Sequence, residues 1–558
     1  MKNLKFLYFF LCFGWILSCS DETINSDRTG VTPAYIVYGD STRSFQFVTD
    51  IYSHLPSGHR FAEVVCSTDE AVWATPNSSG QRWAEGAWGP NTLRDNTFST
   101  CYQGIRRSFI FEDLICPNIE DFIISPSGKS QMMAQVYFIR AYLNFELLKR
   151  FGGYPMVKHL LSDTEDLNIP RNTYDDCVAY IVELCNDAAE VLPTSYSAQL
   201  FGRATKGAAL ALKARTLLYA ASPLFNDPAK PADDLEHGAY DAAKWRKAAQ
   251  AAADVIHLEI YSLYDNYANF FLNLSGNSEI IISRISGNDN SMEQANGPSG
   301  YTGGGGGTCP TWDLVSAYEM IDGTPFDWDN PVHSANPFAG RDPRFAQSIL
   351  YNGVRWMQSR DIETFEGGVD KRGENATLTA FYLRKFLSSS AQWYGSAGNA
   401  NHSFPLIRYA EVLLNYAEAM NEAYGPDDDN DYSLTARDAI KLIRERAGLT
   451  GNTDLSLSVP AGDKDKMREA IRRERRIELA FEEHRHLDLR RWKIAETVLN
   501  RPVSGLRIER SATTPYTFTY TPQTNVQNRV FDASKMYLYP FPQTEKARNS
   551  NLVQNSGW

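Results

Sequence analysis

The sequence predicts a mainly α-helical protein in which paired helices build a scaffold and long irregular loops build a lobe against it. Three observations carry that prediction. Apolar residues recur at i, i+3/i+4 spacing in segment after segment, the period that gives a helix one buried face. Several of those segments set small residues on one face, which lets two helices approach closely. Between them lie four long stretches without such a pattern, and loops of that length usually carry function. A chain of 558 residues also exceeds what one compact core holds, about 250–300 residues. One composite body or two interlocked lobes is therefore expected.

The chain opens with Lys2 and Lys5, then an apolar run from Phe6 to Leu17. A membrane-spanning helix needs about 20 apolar residues, so this shorter run reads as a signal peptide over residues 1–18. Ile16-Leu17-Ser18-Cys19 resembles the lipobox of bacterial lipoproteins, which makes Cys19 the lipidated first residue of the mature chain. Ser20-Asp21-Glu22 resembles the acidic surface-export signal of Bacteroidota lipoproteins and points to the outer face of the outer membrane. Residues 19–42 are polar and broken by Pro and Gly, as a tether is.

The helices follow. Gln131 to Arg150 places Val136, Ile139, Leu143, Leu147 and Leu148 at helical spacing and stops at Gly152-Gly153. Thr173 is set to cap a helix running through Cys177, Val178, Ile181, Leu184, Ala188 and Leu192 to Pro193. Ala208 to Ala221 is almost wholly small or apolar, and Lys244 to Ile256 puts Ala248, Ala252, Val255 and Ile256 on one face. Leu406 to Asn421, Ala436 to Ala447 and Lys466 to Glu483 form a further helical group. This is the packing logic of tetratricopeptide-type helix pairs, in degenerate form because a strict repeat of about 34 residues is missing. Ser53 to Phe98, Ser286 to Thr311, Pro331 to Gly395 and Ser504 to Gln527 are the irregular stretches.

Charge and chemistry narrow the function. The net charge of −12 argues against nucleic acid and anionic lipid headgroups, which call for a basic patch. Beyond Cys12 and Cys19, six cysteines remain (Cys66, Cys101, Cys116, Cys177, Cys185 and Cys309) with no C-x-x-C pair, so buried thiols are expected rather than zinc or a disulfide framework. Glu411/Glu418 and Glu474/Glu478 have the residue types of a glycosidase couple, but each pair lies along one helix among arginines. Salt bridges between packed helices are the simpler reading, since a glycosidase needs its carboxylates across a cleft. His484, His486 and Asp488 lack a third ligand at recognised spacing, and Asp427, Asp429 and Asp431 lack the glycine of a calcium loop, where Tyr432 stands instead. Gly303 to Gly307 is followed by Thr308-Cys309-Pro310, not by a phosphate loop's Gly-Lys-Ser/Thr, and reads as a mobile loop near a ligand. No metal and no cofactor are expected.

The helical segments together resemble the SusD/RagB family of outer-membrane nutrient-binding lipoproteins. The likeness runs in order from about residue 45 to the C-terminus. It passes through Phe151-Gly152-Gly153-Tyr154-Pro155, Gly202-Arg203-Ala204-Thr205-Lys206-Gly207, Arg341-Asp342-Pro343-Arg344, Ile407-Arg408-Tyr409-Ala410-Glu411, Glu474-Arg475-Arg476-Ile477-Glu478, Asp488-Leu489-Arg490-Arg491-Trp492 and Gln554-Asn555-Ser556-Gly557-Trp558. The resemblance implies an N-terminal region over 43–230 and a C-terminal region over 231–558, intertwined in one body of four tetratricopeptide-like helix pairs and an irregular ligand-binding lobe. It also implies a non-catalytic protein that captures a nutrient, most often a glycan and sometimes a peptide. The implied partner is a SusC-type TonB-dependent outer-membrane barrel over which it sits as a lid. A secreted hydrolase and a helical scaffold that binds only proteins are the competing classes. The first lacks a catalytic constellation, and the second leaves the tryptophan-bearing loops unexplained.

Sugar rings offer apolar C–H faces to aromatic side chains and hydroxyl edges to polar ones. Trp73, Trp83 and Trp88 cluster in one loop with Asp69, Arg82 and Asn91, and the family's corresponding loop supplies part of its ligand platform. Trp73, Trp83, Trp88, Asn91 and Asp69 are therefore candidate ligand residues. Tyr301, Trp312 and Trp393-Tyr394 join them from the other loops.

Overall fold

The computed structural model describes residues 34–558 apart from 163, 232, 274–275, 358 and 391–399. The expected signal peptide, Cys19, the first part of the tether and Trp393 lie outside the described residues. The tether does not run to residue 42, because a short helix, Ala34–Tyr38, already precedes α1 (Ser41–Tyr52).

The scaffold is a succession of neighbours. Helix α2 (Phe98–Ile110) packs on α3 (Pro126–Phe151), α3 on α4 (Tyr174–Val191), α4 on α5 (Lys206–Ala221), and α5 on α6 (Ala243–Ile256). The lobe, residues 257–408, is inserted there. Helix α7 (Tyr409–Ala423) then returns against α6, and α8 (Ala436–Arg446) and α9 (Lys464–Glu478) both pack on α7. A short α10 (Arg485–Arg491) follows.

Local chemistry sets these ends. Ser125 accepts a hydrogen bond from the Gly128 amide with Pro126 in the first turn, so α3 starts earlier than its apolar stripe. Gly152 ends it at a φ of +75°, a conformation that costs glycine little. Thr173 and Thr205 cap α4 and α5 by accepting from Asp176 and Ala208 amides. Ala214, Ala248, Ala249 and Ala252 are buried together where α5 meets α6, so the close approach expected of small residues is what the structure has.

Strand pairs pin the loops. Strands β1 (Ala71–Trp73), β2 (Ile280–Arg284), β3 (Thr308–Pro310) and β4 (Phe404–Arg408) form two antiparallel pairs, β1 with β3 and β2 with β4. The helix expected from Leu406 therefore begins only at Tyr409, because Phe404–Arg408 is a fully buried strand. A second correction falls on the stretch from Ser504 to Gln527, expected to be irregular. Strands β5 (Val503–Arg510) and β6 (Phe518–Gln527) form a hairpin there. All six cysteines are free thiols, five buried and Cys116 partly so.

Candidate ligand-binding site

The loops meet around β1. Its alternation buries Val72 and leaves Trp73 half-buried, opposite Thr308 in the register with β3. The glycine run before Thr308 is docked rather than hanging free. The Gly305, Gly306 and Gly307 amides donate to the Gln294, Gly297 and Ala295 carbonyls at 2.7, 2.9 and 2.8 Å, and the Ala74 amide donates to the Gly307 carbonyl at 2.8 Å. A Cβ on Gly307 would stand 2.6 Å from the Trp73 ring. Glycine is needed at 307 because backbone and indole approach so closely.

Tyr301 starts the same segment. Its ring lies 4.1 Å under the Arg360 guanidinium, and its hydroxyl donates to the Trp356 carbonyl at 3.1 Å. Arg360 is held in turn by buried Asp370 through contacts of 2.5 and 2.9 Å. Trp73, Tyr301 and the Arg360–Asp370 pair are thus borne by one backbone-pinned stretch and its immediate neighbours.

The other candidates lie elsewhere. Trp83 and Trp88 are 2% and 7% exposed. Trp83 packs on Trp88, His486 and Tyr539, and Trp88 meets Trp558 at a 49° tilt with centroids 4.7 Å apart. As placed they are core side chains with no free ring face. Exposed Asn91 adjoins the C-terminal segment, where Gln543 donates its amide to the Pro90 carbonyl. Trp312 is buried against Phe381, Phe326 and Trp328. Phe326 and Trp328 are half-buried, more open than Trp312, and both stand outside the irregular stretches.

Asp69 faces inward, held by Arg485 through two contacts of 2.8 Å and by Arg476 at 2.7 Å. Burial alone would raise its carboxyl, but the two guanidinium groups outweigh burial and hold it well below the usual range. Its neighbour Glu70 has no hydrogen-bond partner for either buried oxygen, and burial, reinforced by the Asp69 charge, pushes its carboxyl up to about 8. An acid raised in the fold contributes stability that is present below its unfolded value of 4.5 and is lost as pH rises through about 8. Glu70→Gln should therefore raise the melting temperature near pH 8 and leave it nearly unchanged near pH 4. A difference that does not vary with pH across that window would show that Glu70 is ionised in the fold.

The carboxylate pairs along α7 and α9 are committed to arginines. Glu411 pairs with Arg215, and Glu418 with Arg491 at 2.6 Å. Glu474 pairs with Arg344 and Arg444, and Glu478 with Arg344, Arg408 and Arg446. All four are buried, so the structure has the salt bridges the sequence suggested. His486 accepts or donates between Ser67 (2.9 Å) and Tyr539 (2.7 Å), while Asp488 sits between Arg475 and Arg491. Asp438, twelfth from Asp427 and so the last ligand position of a calcium loop, makes a capping box with Thr435 instead. Among the described residues, no group of three or more His, Cys, Asp or Glu side chains could hold a metal ion.

Residues 277–558 match the family model described as the SusD family, and residues 47–218 match one described as starch-binding, associating with outer membrane. A SusD-like protein of Formosa agariphila is 26% identical over 76% of this chain and 73% of its own. A SusD-like protein of Bacteroides fragilis is 28% identical with a TM-score of 0.78, covering 95% of this chain and 100% of that one. A SusD-like carbohydrate-binding protein from the same organism is 26% identical with a TM-score of 0.75, covering 93% and 100%.

Proposed function

This chain belongs to the SusD family, and on that premise we propose that it captures a glycan at the cell surface without transforming it, for import by a SusC-type TonB-dependent barrel. The observation that carries the reading is Trp73, a half-buried indole fixed beside a pinned loop that also bears Tyr301, over whose ring the Arg360 guanidinium lies. An aromatic face next to a guanidinium suits the apolar face and hydroxyl rim of a sugar. The carbohydrate-binding relative supports the ligand class. Capture without turnover fits carboxylate pairs whose oxygens are already bound to arginine, since a glycosidase needs one acid and one base or nucleophile free at a cleft.

Stacking on an aromatic ring contributes about 1–3 kcal/mol by analogy with bases, so Trp73→Ala should weaken binding of an array-selected oligosaccharide roughly five- to 150-fold by calorimetry. Unchanged affinity in a folded variant would remove Trp73 from the site. Reducing sugar released by purified wild-type protein would overturn the binding-only reading.

The anchor belongs to the same proposal. No helix among the described residues is long and apolar enough to cross a membrane, and Cys19 follows a lipobox-like sequence. Cys19→Ala should shift the chain from the membrane to the soluble fraction, and wild type extracted in mild detergent should bring a large barrel with it. A variant that stays with the membrane after cleavage of the apolar run, or wild type recovered alone, contradicts the respective half.

A further inference from the structure

A second concave site lies on the scaffold, lined by no residue of the lobe. A cavity of about 600 Å³ opens where the end of α5, the start of α6, the end of α7 and α9 meet. That is within the roughly 300–1,000 Å³ of ordinary small-molecule sites. In a chain of net charge −12 its lining is a local exception. Four cations, Arg246, Arg468, Arg472 and Lys493, stand there against three acids, Asp227, Glu418 and Glu422.

Each of the three acids is already bonded. Arg491 donates to Glu418 at 2.6 and 2.7 Å, Arg468 to Glu422 at 2.5 and 2.7 Å, and Lys493 to Asp227 at 3.0 Å. Two guanidinium groups are left over. Arg472 lies four residues beyond Arg468 and shares its face of α9, with its guanidinium braced 4.9 Å from the Trp492 ring. Only the Nε of Arg472 is shut from solvent. Its two terminal nitrogens have no hydrogen-bond partner and are open in the cavity wall. Arg246 is exposed at the start of α6 and makes no ion pair among the described residues. Half-buried Trp245 and Tyr240, 56% exposed, add two rings to the lining. A planar fork of open N–H donors suits the paired oxygens of a carboxylate or sulfate, and the rings suit the C–H face of a sugar.

We propose that this cavity is a second binding site, taking one acidic pyranose whose carboxylate or sulfate ester is held by Arg472 and Arg246, with Trp245 and Tyr240 against its ring. The proposal takes its saccharide from the glycan reading of the lobe, and the experiment separates the two. D-glucuronate, D-glucose 6-sulfate and D-glucose are titrated by saturation-transfer NMR into wild type, Trp73→Ala, Arg472→Gln and Arg246→Gln, with inorganic sulfate as competitor. At least one acidic sugar should bind Trp73→Ala as it binds wild type, and more tightly than D-glucose does. Which of the two binds decides between carboxylate and sulfate ester. Its affinity should fall about 12- to 160-fold in Arg472→Gln, the loss expected for one hydrogen bond to a charged group. Arg246→Gln, which removes an exposed charge, should lower it about two- to five-fold, and keeps the test standing if Arg472→Gln fails to fold. Binding of D-glucose equal to that of the acidic sugars in Trp73→Ala, no binding of any of them, or indifference to both arginine variants overturns the second site. Inorganic sulfate that binds as tightly as the acidic sugars would reject the saccharide assignment. The lobe reading is judged apart, on an oligosaccharide array with wild type, and falls only if nothing there binds.

Discussion

Arg408→Ala is expected to destabilise the protein by about 3–5 kcal/mol, the cost of breaking a buried ion pair by removing one partner. Arg408 is 2% exposed and meets three carboxylates, Glu279 at 2.6 Å, Glu478 at 2.7 Å and Glu482 at 2.8 Å, besides the Glu478 carbonyl at 2.9 Å. These residues come from β4, from the turn before β2 and from the end of α9 and its exit, so one guanidinium ties the lobe to the scaffold. Without it Glu482 keeps only Lys385, while Glu279 and Glu478 share Arg446 and Glu478 also keeps Arg344. Three buried acids would then rely on Lys385, Arg446 and an Arg344 that Asp342 and Glu474 also draw on. Urea unfolding should show a lower midpoint. Arg408→Lys should recover only part of the loss, because an ammonium cannot match the forked geometry.

A second buried cluster, Glu418 with Arg491, Asp488 and Arg475, sets the acid limit. Burial opposes ionisation of Glu418, but Arg491 outweighs it and holds the carboxyl at about 2, against 4.5 in an unfolded chain. A carboxylate lowered in the fold contributes stability that is present above pH 4.5 and is lost as pH falls towards 2. Wild type should weaken progressively over that window. An Arg408→Ala midpoint equal to wild type at pH 7 would mean that this guanidinium is dispensable to the fold.

Much of the scaffold was legible because its signals are local. Thr173 caps the helix it precedes, and the alanines of α5 and α6 meet as small residues should. The errors have local causes too. Leu406 and Ile407 read as the first turn of α7, but a short buried strand and a buried helix look alike as apolar runs. The β5–β6 hairpin was passed over because most of β6 is half-buried or exposed and polar, so its alternation is weak. The candidate site was less legible. Trp73, Trp83 and Trp88 stand close in sequence, yet what separates them is distant. Gly307 packs against the first, while Tyr539, His486 and Trp558 enclose the other two. No local pattern reports which indole will meet a C-terminal tyrosine more than 400 residues on.

Trp83→Ala should cost about 3–5 kcal/mol, as large aromatic truncations in a core do, and should leave the affinity of the folded protein for glycan unchanged. Trp83 lies at the centre of an aromatic group, with ring centroids 5.7 Å from Trp88, 5.2 Å from His486 and 5.9 Å from Tyr539 at near-perpendicular angles. Such edge contacts add about 0.5–1.5 kcal/mol each beyond area burial. Truncation also leaves a cavity beside His486, whose ring bridges Ser67 and Tyr539, so the damage spreads to the join between β1 and the C-terminal segment. Trp83→Phe separates volume from polarity. The indole N–H is buried without a partner, and an orphan donor costs about 1–3 kcal/mol. Phenylalanine gives up some contact while removing that orphan, and should lie much nearer wild type than alanine does. Urea midpoints of both variants, with calorimetric glycan titration below the transition, test the argument. A Trp83→Ala protein with the wild-type midpoint but weakened binding would return Trp83 to the ligand surface, and Trp73 and Trp83 would then form one platform.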